Sequence, residues 1–224
     1  MSADGGLLAY GCGPVVMVAL PQAACALTAL RGHSARVNCV RWVPGSAAAA
    51  RYEIISASCD GTLRLWRREQ ADQEPGGQRD QWRWREAQVL RAHSGSVTHF
   101  ALELGARGAC YAASVAADSS LVVWSCGPAE GGGAAGWEVG QTVTFGLKQL
   151  PVCAALVAGG DDGGMLLAAG HVDSRIRLFS FAGATPGGAV GAVGQVVLLC
   201  VLHGHSDWVT CLGASPLMPT HPQF

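Results

Sequence analysis

The pattern H-S-x-x-V occurs three times in this chain, as HSARVNCV from His33, HSGSVTHF from His93 and HSDWVTCL from His205. A second pattern interlocks with it. DGTLRLW begins at Asp60, DSSLVVW at Asp118 and DSRIRLF at Asp173, and each carries an aromatic six residues after its aspartate, at Trp66, Trp124 and Phe179. The aspartates at 60, 118 and 173 are 58 and 55 residues apart. The histidines at 33 and 93 are 60 apart, and 93 to 205 spans 112, two periods of 56. One histidine unit is therefore missing. Counting back 25–27 residues from Asp173 puts its slot near Gly146–Lys148, in TFGLKQLPV. Self-similarity at a fixed period restricts the fold to an array of one supersecondary unit, each burying its apolar face against its neighbours.

Within the unit that opens at His33, four strands are read: VNCVRW (37–42), YEIISAS (52–58), TLRLWR (62–67) and EAQVL (86–90). Each is short, alternating or β-branched, and bounded by Gly, Pro, Ser or Asp. CDGT (59–62) is a tight-turn signal between the second and third. Four-stranded units at this spacing predict an all-β fold, a β-propeller of small sheets around an axis. The units run over 7–31 (a partial first blade), 33–90, 93–145, 146–203 (a degenerate repeat) and 205–224 (the start of a further one). GSAAAA (45–50), REQADQEPGGQRDQ (68–81), GPAEGGGAAG (127–136) and AGATPGGAVGAVG (182–194) read as loops. They concentrate a glycine content of 31 in 224, well above the roughly 7% of average proteins.

Lys+Arg 15 against Asp+Glu 16 leaves a net charge of -1, so no global field draws the chain to nucleic acid or anionic lipid. Nine cysteines without a C-x-x-C pair, mostly in apolar runs such as VNCV and VTCL, read as small buried hydrophobes in a reducing compartment. Leu7–Leu30 is uncharged over 24 positions, but Pro14 and Pro21 interrupt it and Asp4 stands where a signal peptide carries positive charge. Leu178–Leu202 is also uncharged, yet only VVLLCVL (196–202) is densely apolar, too short to span a bilayer.

RGHSARVNC (31–39) gathers a histidine, a serine and a cysteine, the residue types of a nucleophile with its base. The H-S pair returns at 93–94 and 205–206, however, and there is no G-x-S-x-G, so no enzymatic activity is expected. The histidines at 33, 93, 99, 171, 203, 205 and 221 offer no convergent set of three or four ligands, so neither metal nor other cofactor is expected. QWRWRE (81–86) interleaves Trp82 and Trp84 with Arg83 and Arg85, as a base-stacking strand would, and equally as the outer strand of a propeller blade.

Gly32–His33, Ser56, Asp60 and Trp66 resemble the WD40 repeat. The resemblance implies a hydrogen-bonded relay with His33 between Ser56 and Asp60, and with Ser56 meeting the Trp66 indole. The next unit supplies His93, Ser114, Asp118 and Trp124, with Ala92 for the usual glycine. The unit after that keeps Asp173 and Phe179 but has Ala169 at the serine position, which predicts a broken relay; Gly170–His171 lies in the wrong slot, and His205 opens a further relay. Longer strings are similar to one branch of WD40 proteins, the second subunits of the Elongator complex: GHSARVNCVRW, AADSSLVVWS (116–125), QTVTFGLKQLPVCAAL (141–156), HGHSDWVTCL (203–212) and LLAYGCGPVVMVAL (7–20).

That branch implies two seven-bladed propellers and a scaffolding role in wobble-uridine modification of transfer RNA. Its partners would be the large scaffold subunit and the radical-SAM acetyltransferase-like subunit, with indirect contact to transfer RNA and no membrane or small-molecule substrate. Cytoplasm and nucleus are the expected compartments. A WD40 adaptor such as a ubiquitin-ligase substrate receptor is the alternative. Only three strands precede Arg31, and the aspartate of the His205 unit would fall near 230–232, past Phe224. Three full blades with fragments at both ends are therefore expected, as in a fragment of a longer protein, a short isoform or an incomplete gene model.

Overall fold

A computed structural model describes residues 6–44, 52–70, 82–105, 108–127, 136–159, 163–183 and 192–215. The strands that the alternating pattern encodes pair in chain order. β1 (Leu8–Cys12), β2 (Val15–Leu20) and β3 (Cys25–Arg31) form a three-stranded sheet. β4 (Val37–Trp42), β5 (Glu53–Ser58), β6 (Thr62–Gln70) and β7 (Trp82–Arg91) form the second sheet. The third holds β8 (Val97–Leu104), β9 (Cys110–Ala116), β10 (Ser120–Cys126) and β11 (Glu138–Thr144). The fourth holds β12 (Pro151–Ala158), β13 (Gly164–His171), β14 (Ile176–Ala182) and β15 (Val197–Leu202). Every pairing is antiparallel between consecutive strands, so each sheet is a meander. The fold is all-β, and its sheets are blades of a partial β-propeller.

Register makes the repeat visible in the backbone. The first strand of each four-stranded sheet carries a bulge, at Val37/Cys39, Val97/His99 and Pro151/Cys153. The third strand carries another just before its aromatic, at Leu65/Trp66, Val123/Trp124 and Leu178/Phe179. The three-stranded sheet has the same break at Val18/Ala19, where no aromatic remains. A bulge adds twist and re-aims the side chain beside it, and here it recurs where the sequence signature has gone. The residue after each aspartate turns with positive φ: Gly61 at 79°, Ser119 at 61° and Ser174 at 63°.

The chain divides into two compact units, Met1–Arg91 and Ala92–Phe224. In the first, Leu7, Val16, Val18, Leu30, Val37, Ile54 and Trp66 make the core, flanked by Trp42, Tyr52 and Trp84. The Val37 amide donates to the Gly13 carbonyl at 2.8 Å and docks β4 against the turn of the first sheet. A Cβ at Gly11 would sit 2.8 Å from the Val37 carbonyl, so this approach requires glycine. In the second unit, Tyr111, Val115, Leu121, Val123, Leu156, Leu167, Phe179 and Phe181 centre the core. The Ala154 amide donates to His99 Nδ1 at 3.3 Å and ties β12 to β8.

Several expectations need correction. β6 continues through Gln70, so residues 68–70 are strand rather than loop, and β7 begins at Trp82. Cross-strand charge holds this extension: Arg85 pairs with Glu69 at 2.7 Å, Arg67 pairs with Glu53, and the Arg68 guanidinium lies 5.2 Å from the Tyr52 ring. The cysteines are not uniformly buried. Cys39, Cys110 and Cys153 are, but Cys12, Cys25, Cys200 and Cys211 are exposed. An apolar run does not say which face of a strand is covered. Residues 45–50, 71–81, 128–135, 184–191 and 216–224, which include most of the expected loops and His221, lie outside the described residues.

Candidate functional site

The turn before β4 and the turn before β6 bring His33 and Asp60 together at 2.8 Å through Nδ1 and Oδ2. On its other side, His33 Nε2 lies 2.8 Å from Ser56 Oγ, on β5. The Trp66 indole N–H, on β6, donates to the same Ser56 oxygen at 2.8 Å. The indole can only donate and the carboxylate can only accept, so the chain runs in one direction. Trp66 donates to Ser56, the Ser56 hydroxyl to His33 Nε2, and His33 Nδ1–H to Asp60. This assigns a neutral imidazole protonated on Nδ1. Burial lowers the His33 pKa despite the opposing Asp60 charge, in keeping with the neutral ring.

Asp60 accepts more than the histidine. The Ser34 amide donates to Oδ2 at 3.0 Å, and the Thr62 hydroxyl and amide donate to Oδ1 at 2.7 and 3.0 Å. Burial alone would raise this carboxyl, but the bonds from Thr62, His33 and Ser34 outweigh it and hold the pKa at about 2.

The third sheet repeats the arrangement with one more link. The Trp124 indole donates to Ser114 Oγ at 2.8 Å, and Ser114 meets His93 Nε2 at 2.7 Å. His93 Nδ1 turns to Ser120 Oγ at 2.7 Å, and that hydroxyl donates to Asp118 Oδ1 at 2.6 Å. Asp118 is 3.5 Å from His93 directly, so Ser120 stands between the pair expected to touch. Burial opposes ionisation of Asp118, yet the bonds from Ser120 and Ser94 bring its pKa to about 2. Thr62 and Ser120 stand outside the four-residue relay that the resemblance implies. Their sequence signal is a hydroxyl two residues after the aspartate, in DGT and DSS.

The fourth sheet loses the relay in matched pieces. Ala169 takes the serine position and Phe179 the tryptophan position, so the hydroxyl and the indole N–H that would need it are both absent. Removing both partners of a buried hydrogen bond costs far less than removing one. Asp173 pairs instead with Arg177, at 2.6 Å, and this ion pair lowers its pKa. Leu147, in the histidine slot, is 96% exposed. His171 is fully buried, and its Nδ1–H donates to the Gln149 carbonyl at 2.7 Å. The bulges equate Gly170–His171 with Ala57–Ser58, and Ser58 Oγ donates to the corresponding Ala35 carbonyl at 3.0 Å. His171 thus replaces a serine, not the missing histidine. Its ring stands edge-on to Phe145 at 4.7 Å, and its Nε2 has no hydrogen-bond partner among the described residues.

His205 is exposed, and residues 203–215 contain no strand. No aspartate or serine reaches His205 among the described residues, because the strands that carry them in the other units are not among those residues. Val209 makes the attachment instead. It is buried, its amide donates to the His171 carbonyl at 3.1 Å, and its carbonyl lies 3.2 Å from Cys153 Sγ. Val37 docks on Gly13 in the same way.

Asp60, His33 and Ser56 are ordered like an acid, base and hydroxyl nucleophile. Ser56 is completely buried, however, and its oxygen already accepts the Trp66 indole. No substrate carbonyl can reach it, so the array can orient and rigidify but cannot attack. The base-stacking reading of QWRWRE also changes. Trp84 packs T-shaped on Trp42 at 6.0 Å and belongs to the edge of the core. The Trp82 side chain lies outside the described residues, and Arg83 and Arg85 are exposed, Arg85 already holding Glu69.

Residues 24–67, which span the complete His33 relay, match the family described as WD domain, G-beta repeat. Elongator complex protein 2 of Rattus norvegicus is 32% identical over 229 residues, covering 93% of this chain and 22% of that protein. The protein of that name from Mus musculus is 30% identical over 218 residues (92% and 22%), and that from Arabidopsis thaliana 26% over 224 residues (96% and 24%). The chain spans about a quarter of the length of these relatives. Residues 24–67 thus carry a WD40 repeat, and the chain is similar, along 92–96% of its length, to Elongator complex protein 2.

Proposed function

We propose that this chain is a non-catalytic adaptor of the Elongator complex, supporting wobble-uridine modification of transfer RNA through protein–protein contacts. The similarity to proteins named Elongator complex protein 2 over 92–96% of the chain carries this reading. The relays are compatible with it, because their polar side chains satisfy one another in the interior and leave recognition to strand edges and turns. Apolar side chains are exposed for such use in each unit: Tyr10 and Leu27 in the first, Val139, Leu198 and Leu199 in the second. The partners on this reading are the large scaffold subunit and the radical-SAM acetyltransferase-like subunit, in the cytoplasm and also the nucleus, with transfer RNA contacted indirectly.

Affinity capture of the tagged chain from cells tests this. Recovery of those two subunits is the expected result. Recovery of cullin adaptors in their place would assign the chain to ubiquitin-ligase substrate receptors and contradict the proposal.

A further inference from the structure

Each complete histidine turn displays a serine to solvent: Ser34 after His33, Ser94 after His93 and Ser206 after His205. Two of the three have an exposed arginine three residues earlier, in R-G-H-S (31–34) and R-A-H-S (91–94), while the third has His203 there. An arginine at that distance from a hydroxyl is what the acidic substrate groove of an arginine-directed protein kinase selects, a specificity set by charge pattern. Both serines sit in bends outside the strands, so neither hydroxyl is masked by a ladder.

The same serines clamp the relays. The Ser34 amide donates to Asp60 Oδ2 at 3.0 Å and the Ser94 amide to Asp118 Oδ2 at 2.7 Å. Ser94 Oγ lies 3.4 Å from that carboxylate oxygen and donates to it. A phosphoryl group there removes the donor and adds nearly two negative charges beside an ionised carboxylate. Asp118 in turn holds Ser120, which holds His93. At Ser34, the exposed Arg36 two residues on offers a counter-ion, so the disruption is smaller.

We propose that Ser34 and Ser94 are phosphorylation sites for an arginine-directed protein kinase, and that phosphate on Ser94 releases its histidine turn from Asp118. The serine Oγ bonds to the γ-phosphorus of ATP, the bond from that phosphorus to the β,γ-bridging oxygen breaks, and ADP leaves. The hydroxyl proton passes to the kinase's general base.

The full chain is incubated with ATP and cyclic-AMP-dependent protein kinase, and the modified serines are located by peptide mass spectrometry. Phosphate is expected on Ser34 and Ser94 and not on Ser206. Arg31→Ala should slow modification of Ser34 about tenfold, the effect of losing one charged determinant, while Ser94 in the same molecule reports that the kinase is active on that sample. His203→Arg should bring phosphate to Ser206. In a Ser34→Ala chain, phosphate on Ser94 should lower the melting temperature by about 2–4 °C. Absence of phosphate on both serines, or indifference of Ser34 to Arg31, overturns the acceptor sites. Complete modification of Ser94 with an unchanged melting temperature overturns the release from Asp118.

Discussion

At the scale of single residues, the relay makes each polar group depend on the next. Ser56→Ala leaves both the Trp66 indole and His33 Nε2 without a partner in the interior. The cost should be about 2–4 kcal/mol, since a buried orphan costs roughly 1–3. Trp66→Phe removes one of those orphans, as Phe179 and Ala169 do together in the fourth sheet. The two changes should therefore couple by about 1–2 kcal/mol in a double-mutant cycle read by denaturant unfolding; strictly additive costs would show that the indole and hydroxyl act separately. Proton linkage gives a second outcome. Burial lowers the pKa values of His33, His93 and His171, so below pH of about 6.5 the unfolded chain takes up protons before the native one. That stability is complete above pH 6.5 or so and is lost as pH falls toward the lowered native values. Asp60 and Asp118, at about 2 in the fold against 3.8 ordinarily, add a second loss between about pH 4 and 2. Melting temperatures measured from pH 8 to 3 should stay level to near neutrality and then drop; a rise between pH 7 and 5 would contradict the neutral, buried imidazoles.

At the scale of elements, legibility followed packing. VNCVRW, YEIISAS and TLRLWR were readable because alternation between Gly, Ser and Asp stops marks half-buried strands. The outer reach of β6 was not, because Arg68–Glu69–Gln70 has a loop's composition and only cross-strand pairing with β7 and the Tyr52 ring makes it strand. His171 falls outside the histidine slot because it stands two residues before Asp173, and that spacing is the position of Ser58, visible only through the shared bulge. HSDWVTCL alternates as well as its two counterparts, yet forms no strand. Alternation says which side chains would face a sheet, but a ladder also needs a neighbouring backbone. Its hold is local, through Val209 in the space beside Gly170. A Cβ at Gly170 would lie 2.7 Å from Val209 Cγ1 and 2.7 Å from Cys153 Sγ. Gly170→Ala should therefore displace Val209 and speed exchange of its amide about tenfold or more, because that amide bonds to His171. Native-state hydrogen exchange checks this, and unchanged protection at Val209 would show that the segment is held elsewhere.

At the scale of the whole molecule, function follows from where reactive residue types are not free to react. His33, Ser34 and Cys39 suggest a nucleophile and its base when read alone, and His33 forms an interior brace with Ser56 and Asp60 when placed. The class of the fold was legible throughout, because a period of 55–60 residues with interlocking His and Asp marks survives the decay of any one mark. The identity of partners was not legible from physics, because periodicity marks what the sheets bury and is silent on what a partner would meet. The central claim is that the relay serves stability and that recognition lies on the surface. Ser56→Ala tests it most directly when its melting temperature and its capture of Elongator subunits are measured on the same preparation. The account predicts a lower melting temperature, with recovery of the large scaffold subunit unchanged well below the transition. An unchanged melting temperature with lost recovery would contradict it.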